Sequence, residues 1–182
     1  MSVLIAAVCC GVLTGIQSPD KANIYKQKGT LSGAPYSLEL VETKFKLGSR
    51  KLFWVKSGDT EVPATGTAAK PALFYGHDLG KSQLEGKSLQ QYFEANFTEI
   101  ISMKVTWKGR TTTFGKSMFS DLLNPMASKE NITVKVGKSG ALTIELYGSD
   151  GAGGYSALWT VDVKGGIKRK ISLGELNERN EF

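Results

Sequence analysis

Apolar and polar residues alternate with a period of two along much of the chain, most clearly from Asn131 to Leu173. In Asn131–Val136, Ile132, Val134 and Val136 share one face, as Leu142, Ile144 and Leu146 do in Ala141–Tyr147, because successive strand side chains point to opposite sides. Tyr155–Val163 sets Tyr155, Ala157, Trp159, Val161 and Val163 against Ser156, Thr160 and Asp162, with Leu158 out of pattern. Ile167–Leu173 has the weakest alternation: Ile167, Ile171 and Leu173 share a side with Arg169, opposite Lys168, Lys170 and Ser172. The turns between these segments are Gly137–Gly140, Gly148–Gly154 and Lys164–Gly166, and their glycines can reach the positive φ that tight hairpins require. The four segments predict an antiparallel meander.

The same pattern is shorter upstream. Ala22–Lys28 and Tyr36–Val41 read as two strands joined across Gly29–Pro35, and Thr43–Leu47 with Lys51–Lys56 reads as a hairpin around Gly48-Ser-Arg50. Leu52–Val55 is apolar on both faces, the pattern of a central strand. Residues 58–84, rich in Gly, Ala, Thr and Pro, read as a long loop, with room for a short strand at Ala72–Tyr75.

A change of period marks the helices. Ser88 and Gln91 have capping-box spacing, and Leu89, Tyr92, Phe93 and Phe97 fall on one helical face, predicting a helix over 88–98. Ile101–Trp107 returns to period two, with Ile101, Met103, Val105 and Trp107 inward, and turns at Lys108-Gly-Arg110 into Thr111–Phe114. A short helix is expected at 117–123, stopped by Asn124-Pro125. The fold class expected is α+β, mainly antiparallel β, with sandwich-like and barrel-like packing both open.

Composition agrees: 21 glycines in 182 residues favour turns over long helices, and the length suits one β-rich domain over 19–182 with a frayed tail at 175–182. Val3–Ile16 is an uncharged apolar run, too short to span a bilayer comfortably but suited to the hydrophobic region of a signal peptide, so 1–18 reads as an export signal. No Lys or Arg precedes the run and no A-x-A cleavage pattern follows it. The expected address is periplasmic or extracellular, or cytoplasmic if the run belongs to the core. Both cysteines, Cys9 and Cys10, lie inside the run, so a chain processed there has no disulfide, thiol nucleophile or Cys-based zinc site, and no membrane span is expected in it.

Charge narrows the partners. The net charge is +6, but only four of the 23 basic residues are arginines, Arg50, Arg110, Arg169 and Arg179. Lysine is a hydrated point charge, whereas arginine carries the fork that reads phosphates and base edges, so the excess reads as a solvated surface, and no specific nucleic-acid motif is present. Four Gly-Lys-Ser tripeptides, beginning at Gly80, Gly86, Gly115 and Gly137, are not phosphate loops: the glycine required five residues upstream is replaced by Tyr75, Lys81, Arg110 and Ile132. They read as turns and helix starts.

Two places could carry chemistry. His77, the sole histidine, stands beside Asp78 in the 58–84 loop and would have to serve as the base of any hydrolytic site. No Gly-x-Ser-x-Gly nucleophile elbow accompanies it. The Gly148–Gly154 loop offers Asp150, Gly151, Gly153 and Gly154 as a backbone nest or ligand loop, although Ser149 and Asp150 are too few oxygen ligands for calcium. No metal site or cofactor is indicated. Trp54, Trp107 and Trp159 lie within alternating segments and read as core, and Asn96 and Asn131 begin N-glycosylation sequons that matter only in a eukaryotic secretory pathway. The expected function is a non-catalytic exported binding or structural module of unknown partner. Its alternatives are a hydrolase using the loop around His77 and an anion- or polyanion-binding protein using the lysines of Lys164–Lys170.

Overall fold

The computed structural model describes residues 21–57, 59–76, 84, 86–137, 139–148 and 154–173. The expected leader and tail lie outside them. At Ser32 and Gly33, φ is 49° and 76°, the mirror-image turn that follows the right-handed twist of paired strands. It folds β1 (Asn23–Leu31) onto β2 (Ala34–Lys44), with Leu31 opposite Ala34. Lys108 and Gly109 repeat the device between β6 (Thr98–Trp107) and β7 (Arg110–Thr113). These strands make one antiparallel sheet in the order β1-β2-β6-β7.

The C-terminal meander forms as its alternation predicts. β8 (Ile132–Val136), β9 (Leu142–Gly148), β10 (Tyr155–Val161) and β11 (Ile167–Leu173) pair in the order β11-β10-β9-β8. The inward faces of the two sheets meet in one core: Leu38, Leu40, Met103 and Val105 from the first, and Leu142, Ile144, Leu146 and Trp159 from the second. The arrangement is sandwich-like and not closed into a barrel. Val163, expected on the inward side, lies beyond β10 and is exposed, because the chain has already entered the turn at Asp162–Gly166.

Two cross-strand pairs set tyrosine against glycine. Tyr36 faces Gly29 and Tyr155 faces Gly148, and each ring lies where a glycine Cβ would be. A Cβ at Gly148 would come within 2.1 Å of the Tyr155 ring, so the absent side chain is what admits the aromatic.

A second, smaller core joins the remaining elements. α1 (Leu89–Asn96) begins at Ser88 with the expected capping box: Ser88 Oγ accepts from Gln91 N at 3.2 Å, and Gln91 Oε1 accepts from Ser88 N at 2.9 Å. Phe93 and Phe97 pack with Phe45, Phe74 and Leu123, and ring centroids 4.8–5.8 Å apart link the four phenylalanines. Against this cluster lies a third sheet, β3 (Phe53–Ser57), β4 (Thr60–Thr67) and β5 (Lys70–Leu73), in the order β3-β4-β5.

That sheet corrects the expectation of a long loop over 58–84. β5 is exposed throughout, so burial imposes no apolar alternation on it. The hairpin expected between Thr43–Leu47 and Lys51–Lys56 is also absent: β2 ends at Lys44, Phe45 N donates to Phe97 O, and β3 pairs with β4. β3 is an edge strand, not a central one. The helix expected at 117–123 is a single 3-10 turn, Lys116–Met118. Tertiary bonds take the groups a helix would use: Tyr75 N donates to Asp121 O, Leu123 N to Tyr75 O and Asn124 N to Thr98 O. Leu122 enters the large core and its neighbour Leu123 the small one.

No helix among the described residues is long and apolar enough to cross a membrane, which says nothing of a membrane crossed by strands.

Candidate functional site

A β-bulge on β6 begins the site. Pairing of β2 with β6 runs Val41 to Ser102 and then Glu42 to Ile100, so Ile101 is the extra residue. Ile100 is consequently buried and Ile101 is 46% exposed, the reverse of the inward position expected for Ile101. Strict alternation cannot anticipate a residue that drops out of the pairing.

Glu99 also owes its place to this segment. It is 7% exposed, and its Oε1 accepts from Lys46 N at 2.9 Å and from Arg50 Nη2 at 2.9 Å, with Oε2 at 2.8 Å from the same nitrogen. Arg50 uses its other donors on the backbone: Nε donates to Leu47 O at 3.2 Å, Nη1 to Ser120 O at 3.4 Å, and Nη2 to Lys46 O. Its guanidinium carbon sits 4.4 Å from the Phe45 ring centroid. A planar fork with five N–H donors suits this task; the single ammonium of lysine does not. The guanidinium therefore fastens residues 45–50 to β6 and to Ser120.

Between these parts opens a cleft of about 430 Å³, walled by Lys46–Arg50, Lys116, Phe119 and Ser120 and floored by Glu99–Ile101. Arg50 and Glu99 cancel each other, and the Lys116 ammonium adds positive charge to the lining. Leu47, Ile101 and Phe119 supply apolar surface beside it. A cavity with a few charged groups at an apolar wall is a general form of ligand site.

No protein-family model matches the chain, and no curated protein or solved structure shows significant similarity to it. The site rests on its own geometry.

Of the residues singled out in the sequence, His77, Asp78, Asp150, Gly151 and Gly153 lie outside the described residues. Gly154 is described and partly buried. The bases of the two candidate loops do meet: Gly76 and Gly148 both touch the Tyr155 ring, and the ring centroids of Tyr75 and Tyr155 are 6.5 Å apart. Burial pushes the Tyr155 hydroxyl far above the ordinary tyrosine pKa, helped by the negative charges of Glu42 and Asp121.

The C-terminal basic strand divides. Arg169 is turned to Asp121, Nη1 to Oδ1 at 2.5 Å and Nη2 to Oδ2 at 2.8 Å, and so fastens β11 to the 119–124 segment. Lys168 and Lys170 oppose Thr160 and Leu158 in the pairing. Trp107 and Trp159 are core residues, as expected, and Trp159 Nε1 donates to Met118 O at 3.0 Å. Gly86-Lys87-Ser88 and Gly115-Lys116-Ser117 are a helix start and a 3-10 start. No group of three or more His, Cys, Asp or Glu among the described residues could hold a metal ion.

Sequence reasoning missed the cleft. The one available signal was Arg50, an arginine in a lysine-dominated chain at a glycine turn.

Proposed function

We propose that this protein is an exported, non-catalytic binding module that takes a negatively charged ligand in the cleft between Lys46–Arg50 and Lys116–Ser120. The bulge carries the reading: it turns Ile101 out of the core onto the cleft floor, at the place where Arg50 holds the opposite wall rigid. Burying Ile101 would be favoured in a purely structural sheet, and bulges that re-aim a side chain cluster next to functional sites. Lys116 selects for negative charge, and Leu47, Ile101 and Phe119 favour a ligand with an apolar or ring-bearing body.

Calorimetric titration with a panel of matched acidic and neutral small molecules tests the reading. Acidic members should bind, more weakly as salt screens the Lys116 ammonium, and the variant Lys116→Glu should abolish binding while the thermal melt stays cooperative. Equal binding of neutral members, or unchanged affinity in Lys116→Glu, refutes it. Export rests on the apolar run at Val3–Ile16. N-terminal sequencing of fractionated native protein should find a start beyond that run in the exported fraction. An intact Met1 in the cytosol overturns it.

A further inference from the structure

At the far end of β6 from the cleft, a second and smaller pocket opens between the β6–β7 turn and the β10–β11 turn. It has a volume of about 70 Å³ and is lined by Trp107, Lys108, Arg110, Thr112 and Asp162, with valines behind them. At ~30 Å³ each it has room for about two water molecules, or for one phosphoryl or sulfuryl group.

One of its lining residues carries an unmet donor. Trp107 is 6% exposed, and its indole Nε1 is one of two buried side-chain polar atoms without a hydrogen-bond partner among the described residues. A buried N–H with nothing to donate to is costly, and most such groups in folded proteins are satisfied by protein, ordered water or a ligand. Trp159 shows the ordinary case, donating to Met118 O.

The other groups at the pocket are mostly donors. Lys108 holds its ammonium 4.4 Å above the Trp107 ring. The Arg110 guanidinium lies against Gly165, where a Cβ would come within 3.0 Å of Nε, so the bare glycine leaves the space it occupies. Thr112, 9% exposed, adds a hydroxyl. Asp162 is the one carboxylate in the lining, and its Oδ1 is already used, accepting from Lys164 N at 2.8 Å and Gly166 N at 2.9 Å.

We infer that this pocket is a binding site for a tetrahedral oxyanion, a phosphate or sulfate group, received by the Trp107 indole N–H together with Arg110, Lys108 and Thr112. Two cations against one carboxylate leave the lining positive, and a neutral donor among them suits an oxygen that carries charge. The size admits the anionic group and keeps any organic body outside. The inference does not depend on the cleft, whose floor comes from the opposite end of β6.

The Trp107 indole N–H resonance in nitrogen-15 NMR tests it, assigned by its loss in Trp107→Phe. The full chain is titrated with inorganic phosphate, inorganic sulfate and phenyl phosphate, with sodium chloride at equal ionic strength as control. The Trp107 signal should move downfield and saturate with the oxyanions but not with chloride, while the Trp159 signal stays in place. Arg110→Gln should weaken the response about tenfold or more, as expected for loss of a charged hydrogen bond. Phenyl phosphate equal to free phosphate shows that the group alone is read; stronger binding shows a body resting outside. A Trp107 signal unmoved by every oxyanion, or moved equally by chloride, overturns the inference and leaves the pocket to water. Because Arg110→Gln lies on an exposed strand position, a failed fold in Trp107→Phe does not remove the test.

Discussion

Arg50→Ala is the sharpest test of how the cleft is held. In the wild type the guanidinium is the charged partner of Glu99, which is 7% exposed, and it also donates to the carbonyls of Lys46, Leu47 and Ser120. Removing one member of a buried pair leaves the other charge uncompensated, at a cost of about 3–5 kcal/mol when both are fully buried. Here the side chains of Arg50 and Glu99 keep 24% and 9% of their exposure, so solvent screens part of that cost. A loss of about 2–4 kcal/mol is expected. At about 2–4 °C per kcal/mol for a domain of this size, the midpoint should fall by roughly 5–15 °C. Arg50→Lys should recover little, because one ammonium cannot reach the carboxylate and three carbonyls together. The loss in Arg50→Met combined with Glu99→Leu should be well below the sum of the two single losses, since the double variant leaves no buried charge behind. Calorimetric melts of wild type, Arg50→Met, Glu99→Leu and the double variant form the cycle. An Arg50→Ala midpoint within about 2 °C of wild type refutes the clamp, because that is the size of an ordinary surface change.

Gly76→Ala should be far worse than its size suggests: φ is +87°, and the new Cβ would lie 2.3 Å from Leu123 O and 2.8 Å from the Tyr155 ring. A loss of about 3 kcal/mol or more, read by urea unfolding, is expected, whereas Gly33→Asn, at φ +76° with nothing within 4 Å of its Cβ, should cost little; similar losses at both positions would contradict the packing described. Backbone N–H bonds from Gly166 first, then from Lys164 and Gly165, hold the Asp162 carboxyl below its ordinary pKa. The folded state therefore favours the ionised form, and the stabilisation is present above the unfolded aspartate range and lost as pH falls through the folded value. Carbon-13 NMR should place the Asp162 midpoint below that of a free aspartate peptide, and Asp162→Ala should flatten that part of the acid limb; a midpoint at or above the peptide's would show that the turn bonds do not form.

What the sequence disclosed follows burial. Ile132, Leu142, Ile144, Leu146 and Trp159 face one core from a sheet whose register burial fixes, and their alternation was legible. Ser88 and Gln91 were legible because a capping box is a local motif, complete within four residues. β5 was legible only as room for a short strand at Ala72–Tyr75, since its four residues are all exposed and nothing selects their polarity. The segment 119–124 misled for a different reason. Its local spacing suits a helix, but Leu122 and Leu123 serve two cores on different sides, and carbonyls from Tyr75 and Thr98 claim its amides. The cleft was least visible, because it depends on Arg50 meeting Glu99 across 49 residues of chain and on a bulge that leaves no mark in composition.

That same segment ties the proposed site to the stability of the fold. Ser120 forms part of the cleft wall and accepts from Arg50; Asp121 accepts from Tyr75 N and pairs with Arg169 of β11; Leu122 and Leu123 enter the two cores. Four consecutive residues thus join the cleft, the meander, the chain at Tyr75 and both cores. A ligand seated against Ser120 and Lys116 restrains a segment that every other part already fixes, so little conformational freedom is lost on binding. The arrangement favours a preformed receptor over one that closes around its ligand. It also makes the segment a poor place for the large displacements of a lid, because moving Asp121 would break its bonds to Tyr75 and Arg169, and moving Leu122 would open the large core.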